Sequence, residues 1–224
     1  LLIAVTLSAG ITVAVLGALI IYILANGIMN LTPELFAWKY TTENVSMLPA
    51  IINTVLMTAL SLLIAVPIGI CSAIYLVEYA KRGNKLVNVV RITTETLSGI
   101  PSIVYGLFGY LMFVIAFGWG LSFFGGALTL SIMVLPTIMR TTEEALLSVP
   151  DSYREGSFGL GAGRLRTIFK VVLPSAVPGI LSGVILAIGR IVGETAALIF
   201  TSGTTAEVPK SLFDSGCTLA VYKK

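Results

Sequence analysis

Residues 155–174 read EGSFGLGAGRLRTIFKVVLP, a polar, arginine-bearing stretch lodged between two long apolar runs. The chain around it is 56% hydrophobic and 11% charged, with a mean hydropathy of +0.98. Its apolar residues come in blocks instead of alternating with polar ones, which describes an integral membrane protein. In such a chain a polar segment of about 20 residues between spans is where a soluble partner can take hold. It points to a driven machine more than to a passive pore.

A span needs roughly 20 apolar residues to cross a hydrocarbon core about 30 Å thick. Five stretches qualify, at about 2–25, 49–77, 92–118, 125–147 and 172–201. The chain is therefore expected to be all-α, a single polytopic helix bundle over 1–224 with a cytoplasmic loop at 148–171. The net charge of +3 is uninformative by itself, but its distribution is not. Lys81, Arg82, Lys85 and Arg91 sit in one loop and Arg154, Arg164, Arg166 and Lys170 in another, while 26–48 carries only Lys39 and 119–124 carries none. Positive charge marks the cytoplasmic side, so the N-terminus is expected inside. Lys210, Lys223 and Lys224 then fall outside, against the rule, but the two internal loops are held tightly between spans. Nothing in this pattern suits nucleic acid.

The first apolar run is too long for a leader core and lacks a basic flank, so it reads as a span. There is no initiating Met, and both ends are expected to be incomplete. Cys71 falls in the second span and Cys217 in the polar tail, and the chain has no His. Metal chemistry and His-based catalysis are not expected, nor any cofactor held by this chain. There is no Gly-rich phosphate loop ending in Lys and Ser or Thr, so ATP hydrolysis would belong to a partner.

Asn26, Gly27, Pro33 and Trp38 suggest an irregular outer connection. Pro67, Pro101 and Pro136 fall inside three successive spans, where each removes a backbone hydrogen bond and kinks its helix. Gly179 with Gly183, and Gly189 with Gly193, are spaced four apart on the fifth span and allow close helix approach. In the loop, Ser148, Pro150 and Asp151 resemble a helix start and Gly161 a stop. Between them Tyr153, Arg154, Glu155, Gly156, Ser157 and Phe158 mix aromatic, charged and very small residues, a composition for docking into a groove. A second amphipathic piece, Arg164 to Val171, is expected to set Leu165, Ile168 and Phe169 on one face. Residues alone leave open a helix resting on acidic headgroups.

Glu155-Gly156-Ser157, Gly161, Val171, Leu173 and Pro174 fall at the fixed spacings of Glu-small-small, three residues, Gly, nine residues, aliphatic, any, Leu-Pro. This resembles the EAA loop of binding-protein-dependent, MetI-like ABC importer permeases, with Gly-Ser where that pattern favours Ala-Ala. AIYLVEYAKRG (73–83), SGIPSIVYGLFG (98–109), LPTIMRTTEEALLSVP (135–150) and AIGRIVGETAALIFTSG (187–203) are similar to the permeases of phosphate-specific importers, the PstA family, over about residues 45–221. The resemblance implies a heterodimer with a PstC-like permease, two copies of a PstB-like ATPase and a PstS-like phosphate-binding protein, in a prokaryotic plasma (inner) membrane. It implies that Ser148 to Gly161 is the coupling element. It also implies a sixth span after the outer loop, which is expected to be missing here.

Arg190 and Glu194 lie four apart in the fifth span and are expected on one helix face. Each costs about 2.5–3.5 kcal/mol at mid-membrane, so neither should face lipid. Either they neutralise each other as a structural pair, or Arg190 offers an oxyanion its guanidinium while Glu194 compensates its charge and Thr195 adds a hydroxyl. Glu95 is a weaker candidate, within reach of Arg91 or of water. Three rivals to phosphate import stay open: transport of sulfate or molybdate, a stand-alone channel or ion-coupled carrier, and a non-functional truncated product.

Overall fold

A computed structural model describes residues 2–29, 33–38, 46–80 and 83–222. Lys39, Lys81, Arg82, Lys223 and Lys224 lie outside the described residues. The chain divides into two compact units, Leu1–Leu48 and Pro49–Lys224. Every regular element described in either is helical.

In the first unit, α1 (Leu2–Met29) runs through Asn26 and Gly27, where an irregular connection was expected. Its polar side chains are absorbed within the helix: Ser8 donates to the Ala4 carbonyl, Thr12 to Ser8 and Asn26 to Tyr22. This is how a span accommodates hydroxyls and amides with no water present. A short 3-10 turn follows at Pro33–Phe36, and the buried Ser46 hydroxyl donates back to the Leu35 carbonyl.

The second unit is built around α5 (Phe123–Leu147), in which Leu130, Met133, Val134 and Ile138 are fully buried. Against it pack α2 (Leu48–Ile74), α4 (Ser102–Gly109) and α8 (Leu173–Val192). Small residues set these contacts. A Cβ on Gly69 of α2 would sit 2.8 Å from Ile138, one on Gly109 of α4 2.9 Å from the Thr129 methyl, and one on Gly179 of α8 2.6 Å from Ala145. Gly183 faces Thr141 in the same way, so this glycine pair does bring α8 onto α5. Gly189 and Gly193 do not share that role: around Gly189 the space is open, and Gly193 meets only its own helix's Gly189 carbonyl. Polar bonds add to the seam, with the Ser131 hydroxyl donating to Ala127 at 2.7 Å and to Ser61 of α2 at 3.1 Å.

Among the described residues four helices are long and apolar enough to cross a membrane, Ile3–Ile28, Leu48–Tyr79, Phe123–Leu147 and Arg164–Val192, and a bent pair makes a fifth crossing if it counts as one span. That pair replaces the continuous third span expected at 92–118. The helices Val87–Ser98 and Ser102–Ala116 meet at 104°. The cause is local: Pro101 has no N–H to donate, and the residue before it is steered away from helical geometry. Hence α3 (Lys85–Ser98) ends in a turn at Gly99 and Ile100, with Pro101 extended at ψ 140° before α4 begins. Pro67 and Pro136 by contrast stay inside their helices.

The last expected span, 172–201, is also shifted. It begins at Arg164 and ends at Val192, with Gly193–Thr195 separating it from α9 (Ala196–Thr201). From there residues 203–222 fold back over the starts of α2 and α5. The Asn53 amide donates to the carbonyls of Glu207 and Cys217, both at 3.0 Å, and Leu219 N–H donates to Thr54 at 2.8 Å. Phe123 and Phe124 N–H, unpaired at the start of a helix, donate to Asp214 and Leu212. Cys217, read as part of a polar tail, is a buried residue of this strap, and burial pushes its thiol up.

The glycine contacts predict opposite outcomes for two similar substitutions. Gly106→Ala places a methyl 2.7 Å from the Ala197 Cα, backbone that cannot yield, and should destabilise the detergent-solubilised protein by about 1–3 kcal/mol. Gly189→Ala enters open space and should be neutral or stabilising by up to about 1 kcal/mol. Thermal unfolding of the two variants side by side checks this.

Candidate functional site

Beyond α5 the chain makes a helical hairpin outside the bundle. Ser148, expected to start a helix, instead ends α5, its hydroxyl donating to the Ala145 carbonyl at 2.8 Å. Pro150 is the reason: it holds Val149 out of helical geometry, and α6 (Asp151–Gly159) begins immediately after it. Gly161 does stop the helix, at φ +81°. Its N–H donates to Phe158 and that of Ala162 to Ser157, the paired bonds of a Schellman cap, which needs a left-handed residue. Next comes α7 (Arg164–Thr167), then a π-helical segment, Ile168–Val172, and Leu173 opens α8. Pro174 lies one residue beyond the π segment, and its ring would clash with a carbonyl four residues back in a regular helix.

No residue of α6 is buried, yet it is bolted down by one side chain. Arg154 is only 14% exposed and uses all five of its N–H donors. Nε and Nη2 donate to Oε1 of Glu78 at 3.1 and 2.8 Å. The remaining donors reach the Leu146 carbonyl at 2.9 Å, the Val149 carbonyl at 2.8 Å and Asp151 Oδ1 at 3.2 Å. Glu78, itself buried, closes the π-helical extension Tyr75–Tyr79 of α2. Its backbone carbonyl accepts from Arg164, whose guanidinium also lies over the Tyr79 ring, 5.0 Å from the centroid. Ser157 and Thr167 join the two arms of the hairpin through their hydroxyls at 2.8 Å. Below, Val149, Ile168, Val172 and the half-buried Leu173 pack with Ala145, Leu146 and Ala73.

The residues singled out in the loop thus separate into two groups. Arg154, Ser157 and Leu173 face inward and hold the hairpin, whereas Tyr153, Glu155, Gly156 and Phe158 are exposed. Pro174 is exposed at the start of α8. A Cβ on Gly156 would meet nothing within 4 Å, so this chain's own packing does not require a small residue there. Leu165 and Phe169 are exposed while Ile168 is buried, so the three do not share a face as expected. The i, i+4 pair points away and the intervening Ile168 enters the core. Glu78 went unrecognised as a site residue, although it was in view as an acid at the end of an apolar run.

Arg190 and Glu194 are not brought together on one helix face. The helix ends at Val192, and no ion pair links the two among the described residues. Glu194 is buried, and its Oε1 accepts the Ala197 N–H at 3.1 Å, so its charge serves the first turn of α9. Arg190 is half-buried in the last turn of α8, close enough for its charge to be felt at the Tyr105 hydroxyl. Thr195 is exposed, 3.5 Å from the Ala220 carbonyl. Glu95 meets Arg140 at 3.6 Å, while Arg91 is taken by Glu143 at 2.6 Å.

Residues 65–213, a range that includes this hairpin whole, match the family model described as the binding-protein-dependent transport system inner membrane component. The chain belongs to this permease family. It is 40% identical over 206 residues to a probable ABC transporter permease, YqgI, of Bacillus subtilis, covering 89% of this chain and 68% of that protein. It is 38% identical over 164 residues to phosphate transport system permease protein PstA 1 of Mycobacterium tuberculosis, covering 73% and 53%. With PstA of Pasteurella multocida the figures are 41% over 186 residues, 80% and 64%. The chain spans about half to two thirds of the length of these curated relatives. An inward-facing structure of the MetNI methionine ABC transporter shares the fold, with a TM-score of 0.53 at 23% identity over 66% of this chain and 68% of that one. The permease, all-helical among its described residues, is a multi-pass inner-membrane protein of the MetI-like type and a transport component, as expected from its sequence.

Removing the bolt tests its role. Arg154→Ala leaves the Glu78 carboxylate buried without its partner, a change that costs about 3–5 kcal/mol. Arg154→Lys, with three donors for five acceptor contacts, should recover little of that. Hydrogen exchange across 146–163 should rise by more than tenfold in both variants, while exchange in the middle of α5 stays unchanged.

Proposed function

We propose that the permease is a subunit of an ATP-driven importer of inorganic phosphate, with its N-terminus in the cytoplasm and α6 as the element gripped by the ATPase. The observation that carries this reading is α6 itself: a helix with no buried residue, bolted from beneath through Arg154, whose exposed face holds Tyr153, Glu155 and a Gly156 that none of the described residues crowds. A helix so held, and left bare on its outer side, can take a load and pass it on. Identities of 38–41% to permeases named for phosphate transport support the substrate.

In this reading a PstC-like permease forms the other half of the path, a PstB-like ATPase dimer hydrolyses ATP, and a PstS-like protein delivers phosphate. Arg190 would meet the passing oxyanion through its guanidinium. It makes no hydrogen bond or ion pair with the described residues, so its donors are available. Glu194, fixed on the Ala197 N–H, would hold the following turn instead of neutralising Arg190.

Uptake of radiolabelled phosphate into proteoliposomes holding the assembled complex tests the assignment. Uptake should require ATP and the binding protein, and excess sulfate or molybdate should not compete. Competition by either would reassign the substrate, and uptake without any ATPase would replace this reading by a carrier. Gly156→Leu should lower uptake at least tenfold with an unchanged Tm, since no neighbour in this chain is displaced. Arg190→Gln should abolish uptake in a complex that still assembles.

A further inference from the structure

The 104° corner between the third and fourth helices leaves α3 as a separate, amphipathic piece. Its first half carries Lys85, Asn88 and Arg91, while Val89, Val90 and Ile92 are exposed apolar residues. Lysine and arginine beside exposed valine and isoleucine suit a helix at the level of lipid headgroups, with apolar side chains dipped toward the acyl chains. Two cavities flank it. One, about 500 Å³, is bounded by Cys71 and Tyr75 of the α2 end, Val87 and Val90 of α3, and Met139 of α5. The other, about 520 Å³, is bounded by Ala80, Gly83, Lys85, Asn88 and Arg91. Leu76, Asn84 and Val87 line both, so an apolar groove runs on into a polar, cationic one.

Among the described residues no carboxylate lines either cavity. Glu143 instead meets Arg91 at 2.6 Å from the far side, leaving the arginine half exposed and fixed in direction. An apolar trough that ends at a lysine, an asparagine and an oriented arginine matches one kind of molecule: an acyl chain covalently tied to a phosphate. We propose that this corner is a binding site for one anionic phospholipid, with an acyl chain along Cys71, Leu76 and Val87 and its phosphodiester at Lys85, Asn88 and Arg91. The inference rests on the proposed orientation only in assigning the lipid to the cytoplasmic leaflet. Its physical purpose follows from Pro101: the bend leaves α3 on α5 but opens a groove between α3 and the end of α2, and a resident lipid fills that groove.

The test is native mass spectrometry of the protein, with the subunits that accompany it, extracted in mild detergent and exposed to phosphatidylglycerol or phosphatidylethanolamine. One phosphatidylglycerol should be retained at least tenfold better than phosphatidylethanolamine. Asn88→Asp sets a carboxylate where the phosphate lies without touching the Arg91–Glu143 pair, and should lower retention at least tenfold. Val87→Trp fills the groove, leaves both cations, and should do the same. A phosphatidylglycerol bearing a photoreactive acyl chain should label 71–76 and 87–90. Equal retention of the two lipids, unchanged retention by both variants, labelling spread evenly over the apolar faces of α2, α4 and α8, or a neighbouring subunit crosslinked in the groove would each overturn the proposal. None of these outcomes bears on phosphate uptake, which is read separately.

Discussion

The Arg154–Glu78 contact is the constraint on which the arrangement of this permease depends. Two opposite charges are removed from water where three chain segments converge, and burial of that kind is tolerated only when every donor is used. All five are, on two side chains and two backbone carbonyls. The choice of arginine follows from that count, because a lysine cannot span the end of α2, the last turn of α5 and the first turn of α6 together. The two carbonyls, of Leu146 and Val149, lie where α5 ends, and that of Val149 has no helical partner to accept from. One side chain thereby caps one helix, anchors a second and starts a third.

The rest of the second unit is organised so that α5 does not bend under this contact. Glycines lie where α2, α4 and α8 meet it, and backbone approach takes the place of a hydrophobic driving force that lipid cannot provide. Within the described apolar runs, two breaks stand out. At Gly99–Pro101 a missing N–H and a steric bias turn the chain through a right angle. At Gly193–Thr195 the buried Glu194 carboxylate receives a backbone N–H that the interrupted helix would have left unpaired.

Much of this was legible in the sequence. The apolar runs, the stop at Gly161 and the small-residue pair Gly179 and Gly183 each follow from a local rule with one physical outcome. The errors arose where two rules competed. Ser148 has the side chain of a helix start, but Pro150 governs the backbone two residues on, and the serine becomes the end of the preceding helix. The four-residue spacing of Arg190 and Glu194 implies a shared face only if the helix continues, and Gly193 ends it. Pro101 was read as a kink because composition on both sides was apolar enough for one span. The partner of Arg154 was not legible at all, since Glu78 is 76 residues away in sequence and only the fold brings it near.

These elements fix what a force on α6 can move. The hairpin is joined to α2 by Glu78, to α5 by covalent continuity and two carbonyls, and to α8 through the buried Ile168 and Val172. Because α8 also lies on α5 at Gly179 and Gly183 with no room for a methyl group, the two helices cannot slide past each other by a fraction of a residue without overlap. Displacement must then carry α5 and α8 as one body, and with them Arg190 in the last turn of α8. Beyond Val192 the chain leaves α8, and α9 returns to α5, where Leu198 and Ser202 crowd Gly126. Ser202 also ties this segment to the strap over α2 and α5 through its bonds with Gly216. The break at Gly193 thus parts Arg190, carried on α8, from Glu194, whose carboxylate serves the first turn of α9, while both flanking helices stay seated on α5.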